Sequence, residues 1–116
     1  MLKPQSEFPL LERYKEYFPI HDRVVFAYGE HIYTNYPLTP DLLIHEKCHL
    51  EQQKRYGLDI WVERYLNNIE FRAKMEEEAY RKQLNSIKDR EHRNHVRLQI
   101  LSTIKSGLYG DSVVKL

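Results

Sequence analysis

Apolar residues follow two different periods along this chain, and together they predict a mainly helical protein with one β-hairpin. Over most of the sequence they recur every three or four positions, which is the spacing of an amphipathic α-helix. Residues 23–35 differ, because they are rich in valine and aromatic residues and contain a Gly29-Glu30 pair that permits a tight reversal. We therefore predict strands over residues 23–28 and 31–35.

A first helix is predicted before this hairpin. Ser6 can act as its N-cap, Glu7, Phe8 and Pro9 can form its first turn, and Pro19 ends it. Its apolar stripe consists of Leu10, Leu11, Tyr14, Tyr17 and Phe18. We expect this stripe to face the core.

A second helix, over residues 39–56, has the best-defined start in the sequence. Thr39 is a suitable N-cap, Pro40 fits the first helical position, and Asp41 places negative charge where the helix dipole favours it. Gly57 can end this helix because glycine readily adopts a left-handed conformation.

Two further helices follow. Asp59 can cap the first of them, and Asn67-Asn68 can break it. The apolar residues of this helix are Ile60, Trp61, Tyr65 and Leu66. The next helix is predicted over residues 72–87. Its inward-facing candidates are Met75, Ala79, Leu84 and Ile87.

A last helix over residues 89–106 completes the prediction. Its apolar side is formed by Val96, Ile100, Leu101 and Ile104. Gly107 or Gly110 can close it, and we expect the tail at residues 111–116 to fray. With one hairpin among these helices, the sequence predicts an α+β, mainly helical fold.

Composition narrows the class of protein. With 116 residues, 41% of them hydrophobic, the chain can form one core, so we predict a single domain over residues 1–116. A net charge of +1 argues against a nucleic-acid binder that neutralises phosphates. No apolar run approaches the roughly 18 residues of a membrane span, and residues 1–8 lack the layout of a signal peptide. The single cysteine, Cys48, cannot form an internal disulfide, so we predict a cytoplasmic protein without a membrane partner.

The run His45-Glu46-Lys47-Cys48-His49 carries the main chemical signal. A helix turns by about 100° per residue, so His45 and His49 lie one turn apart on one face and can bind one zinc ion. Glu46 then lies beside the metal, where it can act on a water molecule. Cys48 points away from His49, and we interpret it as a small buried residue.

A catalytic zinc site usually has three protein ligands, so a third donor is expected elsewhere in the chain. The acidic run at residues 76–78 supplies candidates, of which at most one can face the metal well, since neighbours on a helix diverge by about 100°. Glu76 is preferred because it lies three positions before Ala79, a small residue that lets two helices approach closely. Glu78 ranks second and Glu70 third.

These motifs resemble those of a known enzyme family. His45-Glu46-Lys47-Cys48-His49 followed by Glu76-Glu77-Glu78-Ala79-Tyr80 is similar to the H-E-x-x-H…E-x-x-A arrangement of zincin metallopeptidases, and more closely to small phage and bacterial zinc peptidases. The resemblance covers residues 24–83 and extends to Leu43-Ile44, Gln52, Arg64-Tyr65-Leu66 and Arg81. It implies a minimal zincin-like domain, in which a short hairpin and a glutamate-bearing helix pack against the motif helix.

The resemblance also implies a zinc-dependent metallopeptidase with one zinc ion per chain. His45, His49 and Glu76 would be the zinc ligands, and Glu46 would be the catalytic base. The partner would be a peptide or protein substrate, bound in extended form beside the hairpin at residues 24–35.

Two positions depart from the family pattern. Tyr80 stands where many relatives carry Asp or Asn, so a carboxylate that would orient a zinc histidine is not supplied there. Lys47 stands where the motif is commonly apolar. Tyr80 follows Glu76 by one turn, which makes it a candidate catalytic donor to the oxyanion. Other candidates for that role are His31, Tyr33 and Arg64.

Three functions fit this sequence. The first is an active zinc peptidase. The second is a repressor-cleaving peptidase of a mobile element, a class that usually carries Asn at the position of Tyr80. The third is a catalytically inactive, metal-stabilised protein-binding module, in which Glu46 would be dispensable. A second histidine pair, His92 and His95, lies among arginines, and we interpret it as a solvated basic face.

Overall fold

The computed structural model of the protein describes residues 1–104 and 116 and has the predicted α+β, mainly helical fold. A three-stranded sheet, one 3-10 helix and five α-helices make up these described residues. The strands are β1 (Leu2–Lys3), β2 (Phe26–Tyr28) and β3 (His31–Tyr33). The α-helices are α1 (Leu11–Lys15), α2 (Pro40–Tyr56), α3 (Leu58–Asn67), α4 (Ile69–Asn85) and α5 (Arg90–Thr103).

The N-terminal segment differs from its prediction. Instead of one helix capped by Ser6, a 3-10 helix spans Gln5–Glu7 and α1 has only five residues, Leu11–Lys15. The side chain of Gln5 explains the early turn, because its Nε2 donates to the carbonyl oxygens of His21 (2.9 Å) and Val24 (2.8 Å). These long-range hydrogen bonds fix the segment against the hairpin before a regular helix can begin.

The predicted hairpin is present, and Gly29 makes its turn with a φ of 65°. The strand order is β1-β3-β2, so β3 is central and β2 is an edge strand. Strand β1, which the sequence analysis missed, pairs in parallel with β3, where Ile32 N–H donates to the Met1 carbonyl at 2.9 Å. A strand of two residues is too short to show the period of two that identifies strands in a sequence.

The outer edge of β2 is partly occupied by a side chain of α2. Gln53 Nε2 donates to the Ala27 carbonyl at 2.7 Å, and the Gly29 amide donates to Gln53 Oε1 at 2.8 Å. In a parallel pair of strands, one residue donates its N–H to the carbonyl group before the residue opposite it and accepts a hydrogen bond from the amide after that residue. The carboxamide of Gln53 therefore acts as a one-residue strand opposite Tyr28.

The ends of α2 agree with the prediction, whereas the starts of α3 and α4 do not. Helix α2 starts after Thr39 and stops before Gly57, which has a φ of 91°. Asn68 caps α4 by accepting the Phe71 amide at 3.0 Å, so this helix begins three residues earlier than predicted. Asp59 is not a cap, because α3 follows Gly57 directly and already includes Leu58.

Helix α5 is capped by Asp89, whose side chain accepts the His92 amide at 2.8 Å. The predicted inward residues Val96 and Ile100 are buried there, and Leu101 and Ile104 are half-buried. The predicted end at Ser106, the closing glycines Gly107 and Gly110, and the tail at residues 111–115 lie outside the described residues. In the part of the chain that is described, no helix combines the length and apolar character needed to cross a membrane.

Helix α2 is the centre of the packing. It lies against α4, α3 and β2, and the fully buried Ala79 is consistent with the predicted close approach of α4. An aromatic core joins the hairpin to α3 and α4. Its buried members are Phe8, Tyr14, Phe26, Tyr33, Trp61, Val62, Leu66 and Met75. Two other residues that were predicted to face inward, Leu84 of α4 and Ile87 just after its end, pack with α5 instead.

Candidate metal centre

The two histidines of α2 and one glutamate of α4 meet in the interior. His45 Nε2 lies 3.1 Å from Glu76 Oε1, and His49 Nε2 lies 3.2 Å from the same oxygen. The two Nε2 atoms are 3.2 Å apart. All three side chains are buried. The geometry thus brings the first-ranked glutamate of the sequence analysis to the histidine pair.

The triangle formed by these three atoms fits a metal ion. Zinc bound at about 2.0–2.1 Å in tetrahedral geometry separates its ligand atoms by about 3.3–3.4 Å, close to the observed 3.1–3.2 Å. Within the described residues, this is the one group of three potential ligands close enough to hold an ion. His45, His49 and Glu76 can therefore bind a metal.

Two glutamines fix the orientation of the imidazoles. His45 Nδ1 lies 3.0 Å from Gln83 Oε1, and His49 Nδ1 lies 2.9 Å from Gln52 Oε1. Each glutamine oxygen can only accept, so each neutral imidazole carries its proton on Nδ1 and donates it. Both Nε2 lone pairs then point at the same centre as Glu76 Oε1. Three converging acceptors at this distance repel one another unless a cation lies between them.

The second oxygen of Glu76 has its own partner. The hydroxyl of Tyr65 donates to Glu76 Oε2 at 2.5 Å, which leaves Oε1 for the histidines. The ring of Tyr65 stacks on Trp61 with centroids 4.6 Å apart. Arg72 also holds Tyr65 in place, because its guanidinium donates to the Tyr65 carbonyl at 2.8 Å. Glu76 is thus held for a single-oxygen contact with a metal.

Electrostatics couple the three side chains. Burial lowers the pKa of His49, but the carboxylate of Glu76 outweighs this effect and raises the pKa to about 9. Burial raises the pKa of Glu76, but the two imidazoles outweigh it and hold the pKa well below its usual value. These shifts favour a protonated His49 paired with an ionised Glu76 in the metal-free protein.

Glu46 lies next to this triangle without joining it. Its Oε2 is 4.0 Å from His45 Nε2, and the side chain borders the same cavity as the three candidate ligands. Burial raises the pKa of Glu46 above that of an ordinary glutamate. A buried carboxylate with a raised pKa accepts a proton readily at neutral pH, which is the property required of a general base.

The alternative third ligands lie elsewhere. Glu78 points to the outside of the α2–α4 contact and binds Arg55 Nη2 at 2.8 Å. Glu70 is exposed in the first turn of α4. Neither reaches the histidine pair, because both side chains leave the helix on other faces than Glu76.

Of the four residues predicted as possible donors to the oxyanion, one lines the cavity and three do not. Tyr80 lines the cavity, with its ring centroid 4.7 Å from that of His45. His31, Tyr33 and Arg64 do not line this cavity. A catalytic role for Tyr80 stays a prediction, and the other three are too poorly placed to share it.

The centre opens into a cavity of about 770 Å³, which is in the usual range for a binding site. One wall consists of the segment before β2 and of β2 itself, and another consists of α5. Apolar lining residues include Phe18, Ile20, Val24, Phe26, Val96 and Ile100. His92 and His95 are both exposed, as predicted, but His92 also lines the cavity. The cavity is large enough for several residues of an extended peptide.

Two residues of the site had no assigned role in the sequence analysis. Gln83 lies seven positions after Glu76, which returns it to the same face of α4 after two turns. Gln52 follows His49 by three positions on α2 and was noted only as a point of likeness. Helical spacing from the candidate ligands was the available signal for both. The missing carboxylate at Tyr80 is thus replaced by amide oxygens as partners of the imidazoles.

Comparison with protein-family models, with curated proteins and with solved structures finds no match to this chain. What the chain does must therefore be inferred from the residues around the cavity and from their geometry.

Proposed function

We propose that this chain is a zinc-dependent metallopeptidase. The observation that carries the proposal is the convergence of His45, His49 and Glu76 on one point, with Glu46 beside them and an open cavity in front. Two imidazole nitrogens and one carboxylate oxygen form a ligand set typical of catalytic zinc, and a fourth position remains for water or substrate.

Zinc bound at this centre would supply a Lewis acid and lower the pKa of water at the site to about 7. The protein supplies the other groups. Glu46 accepts the proton of the attacking water and transfers it to the leaving amine of the cleaved peptide bond. Gln52 and Gln83 hold the imidazoles during this step, and Tyr65 holds Glu76. Tyr80 is the lining residue that we propose as donor to the oxyanion.

The substrate in this proposal is an extended peptide paired with the outer edge of β2. Residues 24–27, the last two of which belong to β2, all line the cavity. Side chains of an extended segment alternate between two sides, so a consecutive run of lining residues is expected when the backbone edge faces the cavity. The N–H of Ile32 points to β1, so Ile32 is not hydrogen-bonded to Ala27, its partner in β2. The N–H and carbonyl groups of Ala27 therefore point away from β3, and those of Val25, two residues earlier, are expected to point the same way. Gln53 already holds the Ala27 carbonyl, so Val25 is the next position that offers both backbone groups to a peptide.

Metal analysis tests the proposal. We expect one zinc ion per chain in the wild type, and loss of zinc on dialysis of Glu76→Ala. Protein that contains no zinc and binds none at micromolar concentrations would refute the proposal. Each variant needs a circular-dichroism spectrum as a control for folding.

Glu46→Gln separates an enzyme from a metal-stabilised binding module. This variant should retain zinc and lose at least about a hundredfold in cleavage rate, because it cannot accept a proton. Cleavage is measured by mass spectrometry on peptides from a proteome digest. Full biological activity in a zinc-loaded Glu46→Gln variant would instead favour the binding module.

A further inference from the structure

Two carboxylates lie behind the glutamines that contact the histidines. Gln52 Nε2 donates to Glu78 Oε1 at 2.8 Å, and Gln83 Nε2 donates to Asp41 Oδ2 at 2.8 Å. Each imidazole is therefore connected through one carboxamide to one carboxylate. Neither carboxylate contacts the metal centre itself.

The carboxylates determine which way each carboxamide points. A carboxylate can only accept, so it selects the NH2 group of the glutamine and turns the amide oxygen towards the imidazole. Three further contacts hold the amide of Gln52 in the same orientation. Its Nε2 also donates to the Met75 carbonyl at 3.0 Å and to Cys48 Sγ at 3.6 Å, and its Oε1 accepts from Trp61 at 3.3 Å. For Gln83, the contact with Asp41 is the only one among the described hydrogen bonds that binds the NH2 group and so turns the amide oxygen towards the imidazole.

The two chains of hydrogen bonds cross the α2–α4 contact in opposite directions. Gln52 belongs to α2 and its carboxylate Glu78 to α4, whereas Gln83 belongs to α4 and its carboxylate Asp41 to α2. Each connection therefore ties the helix of the histidines to the helix of Glu76. The four side chains that orient the imidazoles therefore also connect the two helices.

We propose that Asp41 and Glu78 are positioning residues of the metal centre, which act through Gln83 and Gln52 to hold both imidazoles with their Nε2 lone pairs on the metal side. This inference rests on the proposed metal binding at the centre. Asp41 should be the more important of the two, because Gln83 has fewer other contacts that fix its amide.

Zinc affinity tests the inference directly. We expect Asp41→Ala and Glu78→Ala to weaken zinc binding on the order of tenfold, the lower end of the range for groups that orient metal ligands. Glu78→Gln should restore affinity to within about threefold of wild type, since its amide oxygen still accepts from Gln52. The measurement is competition with a chromophoric chelator at fixed pH, and the visible spectrum of the cobalt-loaded protein reports changes in ligand geometry.

Glu51→Ala is the matched control. Glu51 forms a 3.1 Å ion pair with Lys82, which also joins α2 to α4 but does not reach the metal centre. We expect its zinc affinity to equal that of the wild type. Glu78 is about one-third exposed and its partner Arg55 half-exposed, so truncation leaves no buried charge, and thermal unfolding of the metal-free variants verifies this.

The outcomes are distinct. If Asp41→Ala and Glu78→Ala bind zinc as tightly as wild type, or if Glu51→Ala is weakened as much as they are, the positioning role is wrong while the metal site stands. If the wild type itself binds no zinc, the metal site and the positioning role both fail.

Discussion

The hydroxyl of Tyr65 should be essential for holding the buried carboxylate of Glu76. Tyr65→Phe removes only this hydroxyl, which donates to Glu76 Oε2 at 2.5 Å. The ring remains, and with it the stack on Trp61. The variant therefore tests the contribution of this hydroxyl group while the aromatic packing is kept.

The size of the effect follows from the burial of Glu76, which is only 5% exposed. A hydrogen bond to a charged group contributes about 1.5–3 kcal/mol to the free energy of unfolding. The buried carboxylate cannot replace the lost hydrogen bond with one to water. For a chain of this length, such a loss lowers the melting temperature by roughly 6–15 °C. We also expect zinc affinity to fall about tenfold, since the carboxylate loses the group that directs its other oxygen to the metal.

Tyr17→Phe provides the comparison. The Tyr17 hydroxyl donates to Asn67 Oδ1 at 3.0 Å, but this hydrogen bond is exposed and neutral. Its removal should change the free energy of unfolding by no more than about 0.5 kcal/mol and leave zinc affinity unchanged. Thermal melts of both metal-free variants, followed by zinc titration, make the measurement. Equal melting temperatures for the two variants, with wild-type zinc affinity in Tyr65→Phe, would refute a role for the hydroxyl.

Three further predictions concern the cavity, the thiol and the pH. Leu42→Glu should slow peptide cleavage, because Leu42 lines the cavity. Ile44→Glu is the control and should not slow it, since Ile44 lies on the same helix and is equally exposed but does not line the cavity. Equal cleavage rates for the two variants would argue against this substrate path. Burial raises the pKa of Cys48 to about 11, so iodoacetamide at pH 8 should modify it at least about a hundredfold more slowly in the native than in the unfolded protein, as read by mass spectrometry. The metal-free protein should lose stability as the pH rises through 9. The raised pKa of His49 contributes stability that is complete below pH 6.5 and is lost above pH 9. A melting temperature that does not fall between pH 7 and pH 10 would contradict this prediction.

Local signals explain the parts of the fold that the sequence predicts well. Helix α2 begins and ends where Thr39-Pro40 and Gly57 indicate, since a proline at the first helical position and a glycine after the last act within a few residues. The hairpin follows from Gly29 for the same reason. Glu76 was preferred over its neighbours through its spacing from Ala79, and spacing on one helix is also local information.

Long-range contacts account for what the sequence analysis missed. The 3-10 turn at Gln5 exists because its side chain binds the carbonyls of His21 and Val24, which no local pattern indicates. Strand β1 has two residues and depends on β3 for its conformation. The contact of Gln83 with His45 spans 38 positions, so it requires the packing of α4 on α2 to be known.

The carboxamide of Gln53 also has a consequence for association between molecules. Exposed strand edges invite pairing with other chains, and proteins commonly protect them with short strands or covering groups. Here one outer strand, β1, has only two residues, and Gln53 covers the turn end of the other at Ala27 and Gly29. Gln53→Ala should therefore increase aggregation of the folded protein, a property determined by a side chain that is itself only 2% exposed.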